Sequence, residues 1–171
     1  GAPAVRLLLA SLAQSPSPTW KAACFEAFRS VALSGDGVAR LERVWTGRET
    51  FNELVTSEAD DATMALELAV RGAGEEVLQA QLARLRNADR RARFQFVLDA
   101  ASSAIDRRDR FFTKLSDPRH RQHEPWVIEG LTWLNHPLRA LAAEAYLLPA
   151  LDLLPDIRRT GDIFLPKRWA E

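Results

Sequence analysis

Three histidines, one cysteine and two arginine clusters are the residues whose type and spacing could carry chemistry. His120 and His123 lie in Arg119-His120-Arg121-Gln122-His123-Glu124-Pro125-Trp126. Two histidines three apart with a nearby carboxylate can bind zinc. The order is HxxHE rather than HExxH, however, with the glutamate on the wrong side. Pro118 and Pro125 make the segment a loop or a single turn, and Arg119 and Arg121 would repel a cation. A polar loop between helices is the better reading, and no metal ligand is assigned. Cys24 has Ala23, Ala27 and Phe28 as helical neighbours and suits a small apolar filler better than a nucleophile. With no GxSxG elbow, GxxxxGK[ST] or GxGxxG, no catalytic or cofactor-binding residue is assigned either.

The arginines are denser. Arg84, Arg86, Arg90, Arg91 and Arg93 fall within ten residues, and Arg107, Arg108 and Arg110 form a second group. Guanidinium groups bind phosphates and carboxylates in bidentate fashion. Here Asp89, Asp99, Asp106 and Asp109 are interleaved, so paired, solvated helix faces explain most of them. Five tryptophans are many for a chain of 171 residues. Trp126 and Trp133, seven apart, share a helix face and should knit neighbouring hairpins together. The residues proposed to face a substrate or an interface are Arg90, Arg91, Arg93, His123, Glu124 and Trp126.

The elements that position these residues are helices. Trp20, Ala23, Cys24, Ala27, Phe28 and Val31 recur with helical period. Ser17 and Pro18 suit the start of that helix, Gly35 its end, and Asp36 the cap of the next. That next helix carries Val38, Leu41, Val44 and Trp45 and stops near Gly47. Further helices are expected over Asp60 to Arg71, Glu75 to Arg86, Asp89 to Ala101 and Arg107 to Leu115. Pro125 and Pro137 each open another. The last runs from Leu138 towards Arg159, kinked or divided at Pro149 and Pro155 and ended by Gly161. Sustained period-2 alternation is absent. The fold class is therefore all-α, with about 8–10 helices, no sheet and short links that favour antiparallel hairpins. Ala39-Arg40-Leu41-Glu42-Arg43-Val44 resembles Ala80-Gln81-Leu82-Ala83-Arg84-Leu85 at an offset of 41 residues. HEAT-like hairpins repeat every ~40–47 residues. An α-α superhelix is expected, with a compact bundle as its competitor. Residues 1–171 read as a single domain, with 162–171 an extended tail whose Phe164 and Trp169 fold back on the helices.

Composition narrows the function classes. Lys plus Arg and Asp plus Glu are both 23, so the net charge is zero, which argues against a dedicated nucleic-acid binder. No apolar run reaches the ~18 residues of a membrane span. A single cysteine excludes an intrachain disulfide but does not fix the compartment. The chain opens Gly1-Ala2-Pro3 and its only methionine is Met64, which reads as a fragment of something longer.

Four blocks carry a family resemblance. They are Asn87-Ala88-Asp89-Arg90-Arg91-Ala92-Arg93-Phe94; His123-Glu124-Pro125-Trp126-Val127-Ile128-Glu129-Gly130-Leu131; Leu134-Asn135-His136-Pro137-Leu138-Arg139; and Arg159-Thr160-Gly161-Asp162-Ile163-Phe164-Leu165-Pro166-Lys167-Arg168-Trp169. From about Trp20 onward the chain resembles the C-terminal helical region of bacterial aminopeptidase-N-like zinc metallopeptidases, the last block most specifically. The resemblance implies a helical superhelix that caps the active site of a larger enzyme and encloses its peptide chamber. It also implies zinc and an HExxH domain upstream in the parent, which would hydrolyse N-terminal residues from peptides. HExxH and the Gly-x-Met-Glu-Asn motif are both missing here, so a domain role transfers and no catalytic or zinc-binding residue does. The expected partners are an upstream catalytic domain of the same chain and a peptide substrate. The alternative is a free-standing HEAT-like scaffold that binds a protein partner through its concave face.

Overall fold

The computed structural model describes residues 2–14, 17–33, 35–51, 54–161 and 164–170. Within them the chain forms ten α-helices: α1 (Ala2–Gln14), α2 (Pro18–Val31), α3 (Gly35–Trp45), α4 (Glu58–Val70), α5 (Glu75–Arg84), α6 (Ala88–Ala101), α7 (Ile105–Lys114), α8 (Glu124–Leu134), α9 (Ala140–Thr160) and α10 (Leu165–Ala170). Short 3₁₀ turns at Pro118–Arg121 and Pro137–Arg139 precede α8 and α9. There is no strand among the described residues, and none of their helices is long and apolar enough to cross a membrane.

Helix starts follow local chemistry. Ser17 accepts a hydrogen bond from the Trp20 amide at the head of α2, with Pro18 in the first turn. At α4 the Ser57 hydroxyl takes the Asp60 amide while the Asp60 carboxylate takes the Ser57 amide, a reciprocal capping box. Asn87 caps α6 in the same way through the Arg90 amide. Chain reversals use glycine only where needed: Gly47 and Gly72, just past α3 and α4, have φ of 74° and 89°.

α4, α6 and α8 form a row, each packing on the next, with α5 laid on α4 and α6, and α7 on α6. The result is an array of helical hairpins. α1 packs on α2 at one end, and α9 pairs with α10 at the other. Two apolar cores run through the array. The first gathers residues from α1 to α6, among them Phe28, Leu41, Met64, Leu68 and Leu78, all fully buried. The second gathers Phe111, Leu115, Val127, Leu134, Tyr146, Ile157, Leu165 and Trp169. Phe96 and Trp133 touch both.

Arginines tie the elements together by capping helix ends, Arg108 and Arg121 from buried positions and Arg71, Arg84 and Arg139 from more open ones. Arg71 donates to the carbonyls of Arg29 (2.7 Å) and Ala32 (3.0 Å) at the end of α2. Arg84 reaches the Trp45 carbonyl at the end of α3, its guanidinium lying 4.2 Å from the Trp45 ring centre. Arg108 donates to Ser102 and Ser103 beyond α6, and Arg121 to Leu115 beyond α7. Arg139 spans Ser102 (2.7 Å) and Ala69 (2.8 Å). Carbonyls at a helix C-terminus lack intrahelical donors and carry the negative end of the dipole, so a guanidinium is a favourable cap. Burial and the neighbouring Arg108 charge draw Arg139 down to about 10, still protonated at neutral pH.

Three expectations are corrected. First, the tail is not extended where it is described: Leu165–Ala170 form α10, because Leu165 and Trp169, four apart, both bury against the second core. The Trp169 indole donates to the Ala150 carbonyl at 2.8 Å, while Phe164 stays exposed. Asp162, Ile163 and Glu171 lie outside the described residues. Second, α2 is rotated from the expected stripe. Trp20 is 58% exposed and Ala23 exposed, whereas Phe25 is buried beside Phe28 and Phe51, and Lys21 is buried one turn earlier. Gly35 opens α3 rather than closing α2, which leaves Asp36 in its first turn. Third, of the two outcomes expected at the prolines, division does not occur: α9 is one helix through Pro149 and Pro155. Both prolines are exposed, and the carbonyls they leave without an intrahelical donor, Ala145 and Leu151, belong to exposed residues that water can serve.

Candidate functional site

A groove of about 500 Å³ opens where α5 and α7 stand apart over α6. Its floor is aromatic. Phe96 meets Phe111 edge-on, with ring centres 5.8 Å apart at 83°, and Trp126 at 5.9 Å and 54°. The walls carry Gln79 and Leu82 from α5, Gln95 from α6, Lys114 from α7 and Leu115 just past its end, with His120 at one end. A groove of this size, apolar below and polar at the rim, suits a short ligand segment.

The charges in the groove are of two kinds. Asp99 and Arg107 pair at 2.8 Å, and Arg107 also pairs with Glu75. Glu75 accepts from the Ser102 hydroxyl as well, which links α5, α6 and α7 through one fixed carboxylate. Lys114 and His120, both exposed at the rim, are the polar groups left to meet a ligand.

The structure places the residues singled out from sequence as follows. Trp126 lines the groove, and His123 stacks on it with ring centres 4.2 Å apart at 22°. His123 is the residue preceding α8, so Glu124 is the first helical residue rather than the cap, half-buried where a carboxylate favours the helix dipole. Arg90 and Arg93 face away from the groove. They border a water-sized notch of about 20 Å³ between α4, α6 and α8. There Arg90 pairs with Glu58 at 3.1 Å, and Arg93 grips Glu129 with two bonds of 2.6 and 2.8 Å. Arg91 is exposed and borders neither hollow. The arginine cluster is therefore divided among structural ties and solvent. Among the described residues no three of His, Cys, Asp or Glu stand close enough to share a metal ion.

Sequence reasoning missed Gln79, Gln95, Phe96 and Lys114. A signal was present for the α6 members: Ala92, Gln95, Phe96 and Asp99 recur at helical spacing, a second stripe beside the buried Phe94, Val97, Leu98 and Ala101. α6 thus presents one face to the core and another to the groove.

Neither a family model, nor a curated protein, nor a solved structure matches the chain.

Proposed function

We propose that this chain is a peptide-holding helical domain, of the kind that caps the active site of a zinc aminopeptidase and encloses its substrate chamber. The observation that carries the reading is the groove between α5 and α7. Its aromatic floor offers apolar contact to side chains. Its glutamine amides, Gln79 and Gln95, offer both donors and acceptors to a peptide backbone. Lys114 and His120 at the rim suit a carboxylate. The resemblance of the four sequence blocks supplies the enzymatic setting, and one of them contributes Trp126 to the groove.

Zinc in such an enzyme would supply an activated water. Among the described residues of this chain no three candidate ligands gather for it. Their part is to bind and orient peptide and to exclude water.

The test is a titration of the purified chain with unblocked peptides of three to ten residues, read by NMR chemical shifts. Saturable shifts should map to Gln79, Gln95, Phe96 and Trp126 and vanish in Phe96→Asp, with circular dichroism confirming that the variant is folded. An alanine-anilide substrate with added zinc should remain uncleaved. Shifts that never appear, or turnover that co-purifies with the chain, would overturn the reading.

A further inference from the structure

α9 is apolar on two opposite faces. Tyr146, Ala150, Leu153, Leu154 and Ile157 turn towards the second core, and Ala143 is buried on the same side. On the far side Leu141, Leu148 and Leu151 are between 51% and 86% exposed, with Leu147 exposed on the flank between the two faces. A contiguous exposed apolar strip of this kind marks an interaction surface.

The outward residues have a specific order. Leu141, Glu144, Leu148, Leu151, Pro155 and Arg158 are spaced 3, 4, 3, 4 and 3, the seam of a heptad repeat. Two leucines occupy its centre, an acid lies towards one end and a base at the other. Neither Glu144 nor Arg158 is ion-paired among the described residues.

We propose that the occupant of this face is a second copy of the same chain, paired antiparallel along α9 with its two-fold axis between Leu148 and Leu151. In that register Leu148 of each copy meets Leu151 of the other. Arg158 stands level with Leu141 of the second copy, three residues from that copy's Glu144. At a rise of ~1.5 Å per residue the offset is about 4.5 Å, within reach of an arginine side chain. Two-fold symmetry makes the Glu144–Arg158 pair twice, as an isologous interface requires. Parallel pairing would set Glu144 against Glu144 and Arg158 against Arg158. The charge pattern thus selects both the partner and its direction. It also disfavours a lipid surface, since Glu144 and Asp152 lie along the strip that would face the headgroups. This inference does not depend on the groove.

The experiment is light scattering coupled to gel filtration on the 171-residue chain over a dilution series. The expected mass is twice the 19.1 kDa of one chain, falling towards one chain on dilution. Leu148→Glu with Leu151→Glu should be monomeric at every concentration, with unchanged helical circular dichroism, because both sites are already in solvent in the single copy. Glu144→Arg alone should weaken association about tenfold by replacing two attractions with two repulsions. Adding Arg158→Glu should restore it. A wild-type monomer throughout the series would overturn the proposal, as would a dimer indifferent to Leu148→Glu with Leu151→Glu. So would a monomer that co-floats with phosphatidylserine vesicles, which would assign the face to lipid.

Discussion

The two cores are built by different means. The first, under α1 to α6, is a broad aliphatic interior: Leu12, Leu41, Met64, Leu68 and Leu78 are all fully buried, and the fully buried Phe28 is stacked beside Phe25. The second, under α7 to α10, has fewer buried aliphatics. With less area to bury, it leans more on Phe111, Tyr146 and Trp169, on the close approach of α8, and on guanidinium ties such as Arg121 to Leu115, Asp156 and Thr160, where the ties of Arg71 and Arg84 only supplement the first core. An aliphatic interior draws stability from area removed from water and is insensitive to direction. A polar tie is directional, and removing one partner leaves the others unsatisfied. The same array therefore has a half that should tolerate repacking and a half that should tolerate very little.

The sharpest way to separate the halves is to damage each by its own mechanism. Leu68→Ala, in the middle of the first core, should cost about 3–5 kcal/mol in denaturant unfolding, the range for a cavity that cannot collapse. Arg121→Ala should cost about 2–3 kcal/mol, because charged hydrogen bonds are lost and the Leu115 carbonyl loses its donor. Both should shift a single transition, since Phe96 and Trp133 join the cores. Two resolved transitions would show instead that the halves melt separately.

Gly130→Ala probes the second core by overfilling. A Cβ there would meet the Phe111 ring at 2.2 Å, so either the ring turns or α8 lifts away from it. The expected cost is about 2 kcal/mol by urea titration, together with loss of the Phe96–Phe111 edge contact in the groove. A neutral result would mean that Phe111 turns aside freely.

The smallest effect is a pH dependence. His136 lies against Trp133, and its Nδ1 accepts the Leu138 amide at 3.2 Å, which fixes the neutral ring. Burial, then the Arg71 and Arg139 charges, hold its pKa below the ordinary value, opposed by Glu67. As pH falls below about 6.5 the unfolded chain takes up this proton before the folded one does. Stability should decline in that window and be unaffected by His136 above it. His136→Asn keeps an acceptor for the Leu138 amide and should flatten the slope between pH 7 and 5. An unchanged slope would remove His136 as its cause.

Helix existence was legible because periodicity, caps and breakers agree along most of the chain. The stripe Phe94, Val97, Leu98 and Ala101 is buried as expected, and Gly47, Gly72 and Gly161 stand at helix ends. The rotation of α2 was not legible. Trp20-Cys24-Phe28 and Lys21-Cys24-Phe25-Phe28 both fit a period of 3.6, and only the position of Phe51 decides between them. The groove was half legible. Trp126 stood out by type, but Gln79 and Lys114 join it only because α5 and α7 fail to meet. The arginine ties were invisible for a simpler reason. Their acceptors are main-chain carbonyls, which have no letter in a sequence, and Arg139 finds one of them 70 residues away.

Those ties also share a direction. Arg71, Arg84, Arg108, Arg121 and Arg139 each close on carbonyls that precede them in the chain. During synthesis the acceptor is made first, so each hairpin can form before the latch for its end arrives. Every latch then secures a carbonyl already made, and Arg121 alone among them goes on to take Asp156 and Thr160 from the later α9. The array is in this sense assembled like a ratchet, with the ribosome setting the order of its clicks.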